Sequence, residues 1–236
     1  MIVITLSITQ YKEKDAIVSA VSEDGFLTFL AKGVYDQKSA NFVINNLLTV
    51  FDINLREGNY KYPILKSAKL LYSPIKKIDD ICLLGSVSLI LEMTNKLLED
   101  EEKGQIYNDL SQLLNNFDDE NDRYYRMLIY FAKILKISGY NFEVNCCINC
   151  HTKTNIFDFS TFDGGFLCKD CFKSNNRSGL THQQMFLLRD AFNAKDVNSI
   201  SQYNTSSDCL VLFNFFNLFI NDNLGINLKS LSLLRK

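Results

Sequence analysis

The sequence predicts an α+β protein: a small N-terminal β-barrel followed by an all-α domain that carries a four-cysteine zinc knuckle. Three observations lead there. Short segments rich in β-branched and aromatic residues fill positions 1–78 with no long helix between them, apolar residues recur at three-and-four spacing from 79 onward, and two Cys-x-x-Cys pairs lie in the later part. The change of period puts a boundary at 78/79, with the barrel at 1–78, the helical domain at 79–236 and the zinc segment at about 140–178.

The barrel strands expected are Ile2–Ile8, Ala16–Val21, Phe26–Ala31, Leu47–Leu55, Tyr60–Leu65 and Ser67–Tyr72, with polar turns at Lys12–Asp15 and Glu23–Gly25. Five or six short strands at this spacing suit a closed barrel better than an open parallel sheet. After Pro74, Asp79 or Asp80 can cap a helix from Ile81 to Leu98, ended by the acidic run Glu99–Glu102. Further helices are expected at Gln105–Asn116 and Asp122–Ser138, the latter closed by Gly139. Thr181-His-Gln-Gln184 has the form of a capping box for a helix at His182–Asn193, a short helix is expected at Val197–Tyr203, and Ser206 or Ser207 opens a last one from Asp208 to about Asn221.

Cys147-Ile-Asn-Cys150, seventeen residues and Cys168-Lys-Asp-Cys171 match the spacing of paired knuckles closing on one tetrahedral ion. The intervening chain supplies a hairpin, with Asn155–Ser160 outward, Asp163-Gly164-Gly165 as the turn and Phe166-Leu167 returning. Asn, Lys and Asp separate the cysteines, which argues against four thiols simply buried in a core. Four thiolates leave no position for a metal-bound water, so the reading is structural zinc rather than catalytic zinc. A nucleobase deaminase also needs His-x-Glu upstream of its Cys-x-x-Cys, and none is present. Cys146 and His151 are competing ligands.

Composition is that of an ordinary globular protein, 47% hydrophobic and 22% charged with net charge −2. Seven cysteines and an N-terminus without a basic leader point to a reducing, cytoplasmic setting. The longest apolar run, Cys209–Ile220, is too short to span a bilayer. Nucleophile–base pairs, Gly-rich phosphate loops and Walker motifs are missing, so an enzyme is not expected.

Taken in order, the residues resemble the bacterial RecO family of recombination mediators in its zinc-containing form. The resemblance rests on Tyr11-x-Glu13-x-Asp15-Ala-Ile17-Val18, on Gly25, Ala31-Lys32-Gly33 and Lys38-Ser39, and on Gly139-Tyr140 ahead of the two cysteine pairs. Phe159, Gly164-Gly165, Leu167 and Leu228-Lys-Ser-Leu231 complete it. It implies an oligonucleotide-binding (OB) barrel and a non-enzymatic, nucleoid-associated role in recombinational repair. The partners implied are single- and double-stranded DNA, RecR and the acidic C-terminal tail of single-stranded DNA-binding protein (SSB). Where the family carries several basic residues between Gly33 and Ser39, this chain has Val34-Tyr35-Asp36-Gln37-Lys38, and residues 1–80 hold ten Lys or Arg against nine Asp or Glu.

On that implied barrel, Tyr11, Lys12, Lys14, Lys32, Tyr35 and Lys38 lie in or beside turns and are candidates to stack bases and track phosphates. A second basic patch, Lys61, Lys66, Lys69, Lys76 and Lys77, is interleaved with Tyr60, Tyr62 and Tyr72. An edge strand protected by lysines accounts for it equally well. The zinc segment balances its own charges and reads as a clamp on the fold. Phe186, Arg189 and Phe192, with Phe213–Phe219 behind them, are candidates for an apolar pocket with a cation at its rim. The competing function is a zinc-stabilised protein adaptor, of zinc-ribbon or ArfGAP-like type, without DNA binding.

Overall fold

The computed structural model describes residues 1–56, 58, 61–75, 80–120, 122–173 and 177–234. Two compact units emerge, Met1–Asp118 with Ser232–Lys236, and Asp119–Leu231. The division falls beyond the change of period at 78/79, because three helices pack on barrel strands.

The first unit is built on β1 (Ile2–Gln10), β2 (Ala16–Ser22), β3 (Gly25–Ala31), β4 (Val50–Arg56) and β5 (Ile64–Tyr72). They close in the order β1-β2-β3-β5-β4, a Greek-key ring of the OB type. β1 serves two neighbours: Ile2–Ile4 pair with β4 and Ile4–Gln10 with β2, and a bulge between Thr5 and Ser7 bends the strand between them. β3 and β5 meet in parallel through the single pair Leu30↔Ile64. Side-chain alternation directs Ala16, Val18 and Ala20 of β2 inward against Val3, Phe29, Phe51, Ile53 and Leu65. The two strands expected at Tyr60–Leu65 and Ser67–Tyr72 are one continuous strand, and Tyr60 lies outside the described residues. β4 starts at Val50 rather than Leu47 because Leu48 takes a left-handed φ of 51° and its amide donates to the Thr5 carbonyl.

Helix α1 (Ile81–Leu97) is capped by Asp80, whose Oδ1 accepts from the Leu83 amide at 2.9 Å. Asp79, the other candidate cap, lies outside the described residues. The acidic run does more than end this helix. It forms a separate turn, α2 (Asp100–Lys103), through a capping box in which the Glu102 carboxylate accepts from the Glu99 amide. α3 follows at Tyr107–Asn115. Asn95 of α1 donates to the Leu6 carbonyl of β1 at 3.0 Å, and Lys103 of α2 stands over the Phe26 ring of β3.

The second unit contains α4 (Arg123–Ile137), the hairpin β6 (Ile156–Ser160) with β7 (Gly165–Cys168), α5 (His182–Asn193) and α6 (Ser206–Leu224). Gly139 ends α4 at φ +90° and Gly225 ends α6 at φ +68°. The expected capping box of α5 is present: Gln184 N–H donates to Thr181 Oγ1 at 3.2 Å and Thr181 N–H to Gln184 Oε1 at 2.9 Å. α6 begins at Ser206, two residues before the expected Asp208, with Thr205 rather than either serine as its cap. The helix expected at Val197–Tyr203 is a series of turns. Asp196 and Ser201 accept there from the amides two residues on, Asn198 and Tyr203, a local pattern that competes with helix formation. The core is aromatic. Phe216 of α6 packs against Phe131, Phe142, Phe159, Phe192 and Phe215, joining α4, α5 and the hairpin around one ring.

Candidate metal centre and nucleic-acid face

The metal-binding group assembles as the spacing predicts. One ligand atom from each of Cys147, Cys150, Cys168 and Cys171 lies within 4.8 Å of the others, and the Cys150 and Cys168 sulfurs are 3.6 Å apart. Four sulfurs at about 2.3 Å from a zinc on tetrahedral directions stand about 3.8 Å from one another, so the quartet fits such an ion with little movement. The hairpin delivers the second pair: Ile156↔Cys168 is its end register, and Ile148 N–H donates to the Phe166 carbonyl, tying the first knuckle to the return strand. His151 is exposed and turns the chain at φ 58°, while its amide donates to the Cys147 carbonyl; it stands outside the group of four sulfurs. Cys146 stays outside the quartet.

The four thiols hold their protons unevenly. Burial opposes charge on Cys147, yet hydrogen bonds from the backbone of Cys150, Cys168 and Asn149 bring its thiol down to about 6. Contacts with the Cys150 and Cys168 side chains push Cys171 up to about 12, so protons leave this cluster in stages, and a cation held by all four sulfurs would displace them.

Sequence reasoning missed what holds the hairpin in place. Asp158 is 1% exposed, and its carboxylate accepts from the Ser178 amide at 3.0 Å and from the Ser178 hydroxyl, with Arg177 at 3.9 Å. Its place on the strand, alternating with Phe157 and Phe159, gave no sign of burial. On the other edge, Glu143 bridges to Gly165, and a Cβ at Gly165 would overlap the Glu143 carbonyl oxygen.

On the barrel, the first candidate group is drawn together and the second separates. The β1–β2 turn is closed by Tyr11 N–H donating to the Asp15 carbonyl at 2.9 Å. It is joined to the segment after β3 by Gly33 N–H to Asp15 Oδ1, Tyr35 N–H to the Lys14 carbonyl, and a Lys14–Asp36 ion pair at 3.0 Å. Tyr11, Lys12, Lys14, Lys32, Tyr35 and Lys38 therefore belong to linked turns, all of them exposed. Lys14 is not a free cation, however: its hydrogen bond and charge hold the Asp36 carboxyl below its ordinary range. Lys61 and Tyr62 leave the second patch and line a hollow with Tyr11. Lys69 lies in register with Asp52 and lines a separate hollow with it and Met1, and Lys66 stands exposed at a register shift of β5. Lys76 and Lys77 lie outside the described residues.

In the helical unit, Phe186 is 38% exposed, stacks on Tyr203 at 4.9 Å and carries the Arg189 guanidinium 5.0 Å from its ring. Both line a hollow of about 250 Å³ with Val144, Ile156 and Met185, rimmed by Lys153 and His182. Phe192 does not join them. It is 2% exposed and packed by Phe142 and Phe216, so it is a core residue, as are Phe213, Phe216 and Phe219.

Fold and site define the class: an OB-like barrel joined in one chain to a helical unit with a four-thiol metal centre. The family model described as "Recombination protein O C terminal" matches residues 78–232. DNA repair protein RecO of Bacillus cytotoxicus is 30% identical over 167 residues, covering 70% of this chain and 67% of the relative. That of Bacillus mycoides is 29% identical over 167 residues with the same shares, and that of Bacillus cereus strain AH187 30% over 168. The chain belongs to the RecO family. No helix among the described residues is long and apolar enough to cross a membrane.

Proposed function

We propose that this chain is a non-enzymatic mediator of DNA repair and homologous recombination that binds single- and double-stranded DNA, anneals strands and, with RecR, helps load recombinase onto SSB-coated DNA. The observation that carries the reading is the composition of the barrel surface. Aromatic and cationic side chains gather on the turn between β1 and β2 and beside the entry to β5, where OB barrels hold oligonucleotides. Few cations are present, so binding is of modest strength and depends steeply on salt. The four cysteines hold one structural zinc that stabilises the helical unit. The hollow bordered by Phe186 and Arg189 has the chemistry for the acidic, phenylalanine-ended SSB tail, with an apolar interior and Lys153, His182 and Arg189 around it. Such a protein works in the cytoplasm, on the nucleoid.

A gel-shift titration with oligo(dT) across a salt series tests the central claim. Complexes at low salt that dissolve as salt rises are expected. Absence of any complex at low salt would instead favour the zinc-stabilised adaptor, a reading that the near balance of charge in residues 1–80 supports.

A further inference from the structure

The tip of the β6–β7 hairpin carries a phenylalanine that the fold does not use. Phe162 is 98% exposed, more than any other large hydrophobic side chain among the described residues. Three hydrogen bonds hold the turn behind it: Asp163 N–H to Ser160 Oγ at 3.0 Å, the Ser160 hydroxyl to Asp163 Oδ2 at 2.6 Å, and Gly164 N–H to the Ser160 carbonyl at 3.0 Å. An apolar ring held out in water on such a mount gains free energy only when something covers it, and the mount has already met part of the ordering cost.

Beside the ring lies an open hollow of about 850 Å³, which Phe162 borders and to which Phe159, Leu167, Phe172 and Phe215 give an apolar lining. From Phe215 the apolar surface runs on along α6, where Val211 and Leu218 stand one turn to either side, 42% and 63% exposed. No charged residue occurs between Asp208 and Asp222, so this stripe lacks the polar outer face of an ordinary surface helix. Exposed apolar surface in this concentration marks a contact with another macromolecule.

Shape and charge together select the partner. The patch holds both a projecting ring and a hollow lined by rings, the two halves of one contact. Around the hollow stand Asp163 and Asp170 with Lys173 and Arg177, all exposed and two of each sign. Nucleic acid would be repelled by one half of that rim and a basic peptide by the other. A two-fold copy of the same surface meets neither penalty, because each ring enters the other's hollow and each carboxylate can face a cation. We infer that this chain pairs with a second copy of itself through reciprocal insertion of Phe162 beside α6. The two rings supply roughly 300–500 Å² of buried surface against roughly 1,600 Å² in a standard interface. The α6 stripe must provide much of the remainder, and the dimer is a reversible one. The inference goes beyond the DNA-binding role and does not depend on it.

Sedimentation equilibrium of the zinc-loaded full chain across the micromolar range tests it. The wild type is expected to move from monomer to dimer as concentration rises. Phe162→Asp should weaken self-association by roughly 100-fold, because the change enters the interface twice. Val211→Asp on the helix should weaken it by roughly ten-fold or more. Both side chains are exposed in the single chain, so metal content and the melting temperature of the dilute monomer should stay at wild-type values. Phe162→Ser, a milder change at the same site, stands in should the aspartate variant fail to fold. A wild type that remains monomeric throughout overturns the inference and leaves the patch to a different protein. A dimer as tight with residue 162 replaced as without also overturns it, since the contact then lies elsewhere.

Discussion

Asp36 is the residue that decides how much free positive charge the linked turns present. It places a carboxylate among the lysines of the linked turns and holds Lys14 at 3.0 Å. Since its pKa is lowered in the folded chain, the ion pair is fully present above the ordinary carboxyl range and is lost only as pH falls through the depressed value, so Lys14 stays engaged at neutral pH. Asp36→Asn removes the charge yet retains Oδ1 as acceptor for the Lys38 amide. The variant is expected to bind oligo(dT) more tightly at low salt, with a salt slope steeper by roughly 0.7 as Lys14 gains one phosphate. Unchanged affinity and slope would show that Lys14 stands off the DNA path. The ion pair was not legible in the sequence, where Lys14 and Asp36 are separated by two strands. Phe192 was misplaced for a related reason: on an amphipathic helix, Phe186 and Phe192 differ in which side they present, and only the packing of Phe142 and Phe216 settles it.

At the scale of elements, local chemistry was the best guide. The Thr181–Gln184 capping box, the glycine after α4 and the cysteine spacing each act within a few residues, and each is realised. Pairings between distant strands left weaker marks. Tyr11 and Tyr62 share a hollow only because β5 enters the ring beside β3, a closure no local pattern encodes. The β6–β7 hairpin gives a further case, its close contact with residue 143 being invisible until the chain folds. Gly165→Ala forces a methyl group into the Glu143 carbonyl and should destabilise the protein by about 1–3 kcal/mol, read as a lowered midpoint in urea. A midpoint equal to that of the wild type would mean that the bridge gives way freely.

For the molecule as a whole, a metal held by the four cysteines would couple ion binding to the fold. Ions that bind four deprotonated thiols in the folded chain stabilise it by mass action, and acid competes for the same sulfurs. Cys168→Ser should release the metal, measured by elemental analysis, and lower the melting temperature. Chelation or acidification of the wild type should reproduce both effects. Retained zinc with unchanged melting in the variant would remove the quartet from the account of stability. The aromatic core explains the sensitivity expected: Phe159 rides on the hairpin that the cysteines staple, and it packs against Phe142 and Phe216 at the centre of the helical unit.

The barrel is joined least along one edge. Its seam is one residue pair, Leu30 with Ile64, and that stitch lies directly beneath the two tyrosines. A wall closed by so short a ladder has little redundancy there, so hydrogen exchange of the amides along this edge is where opening of the ring would register first.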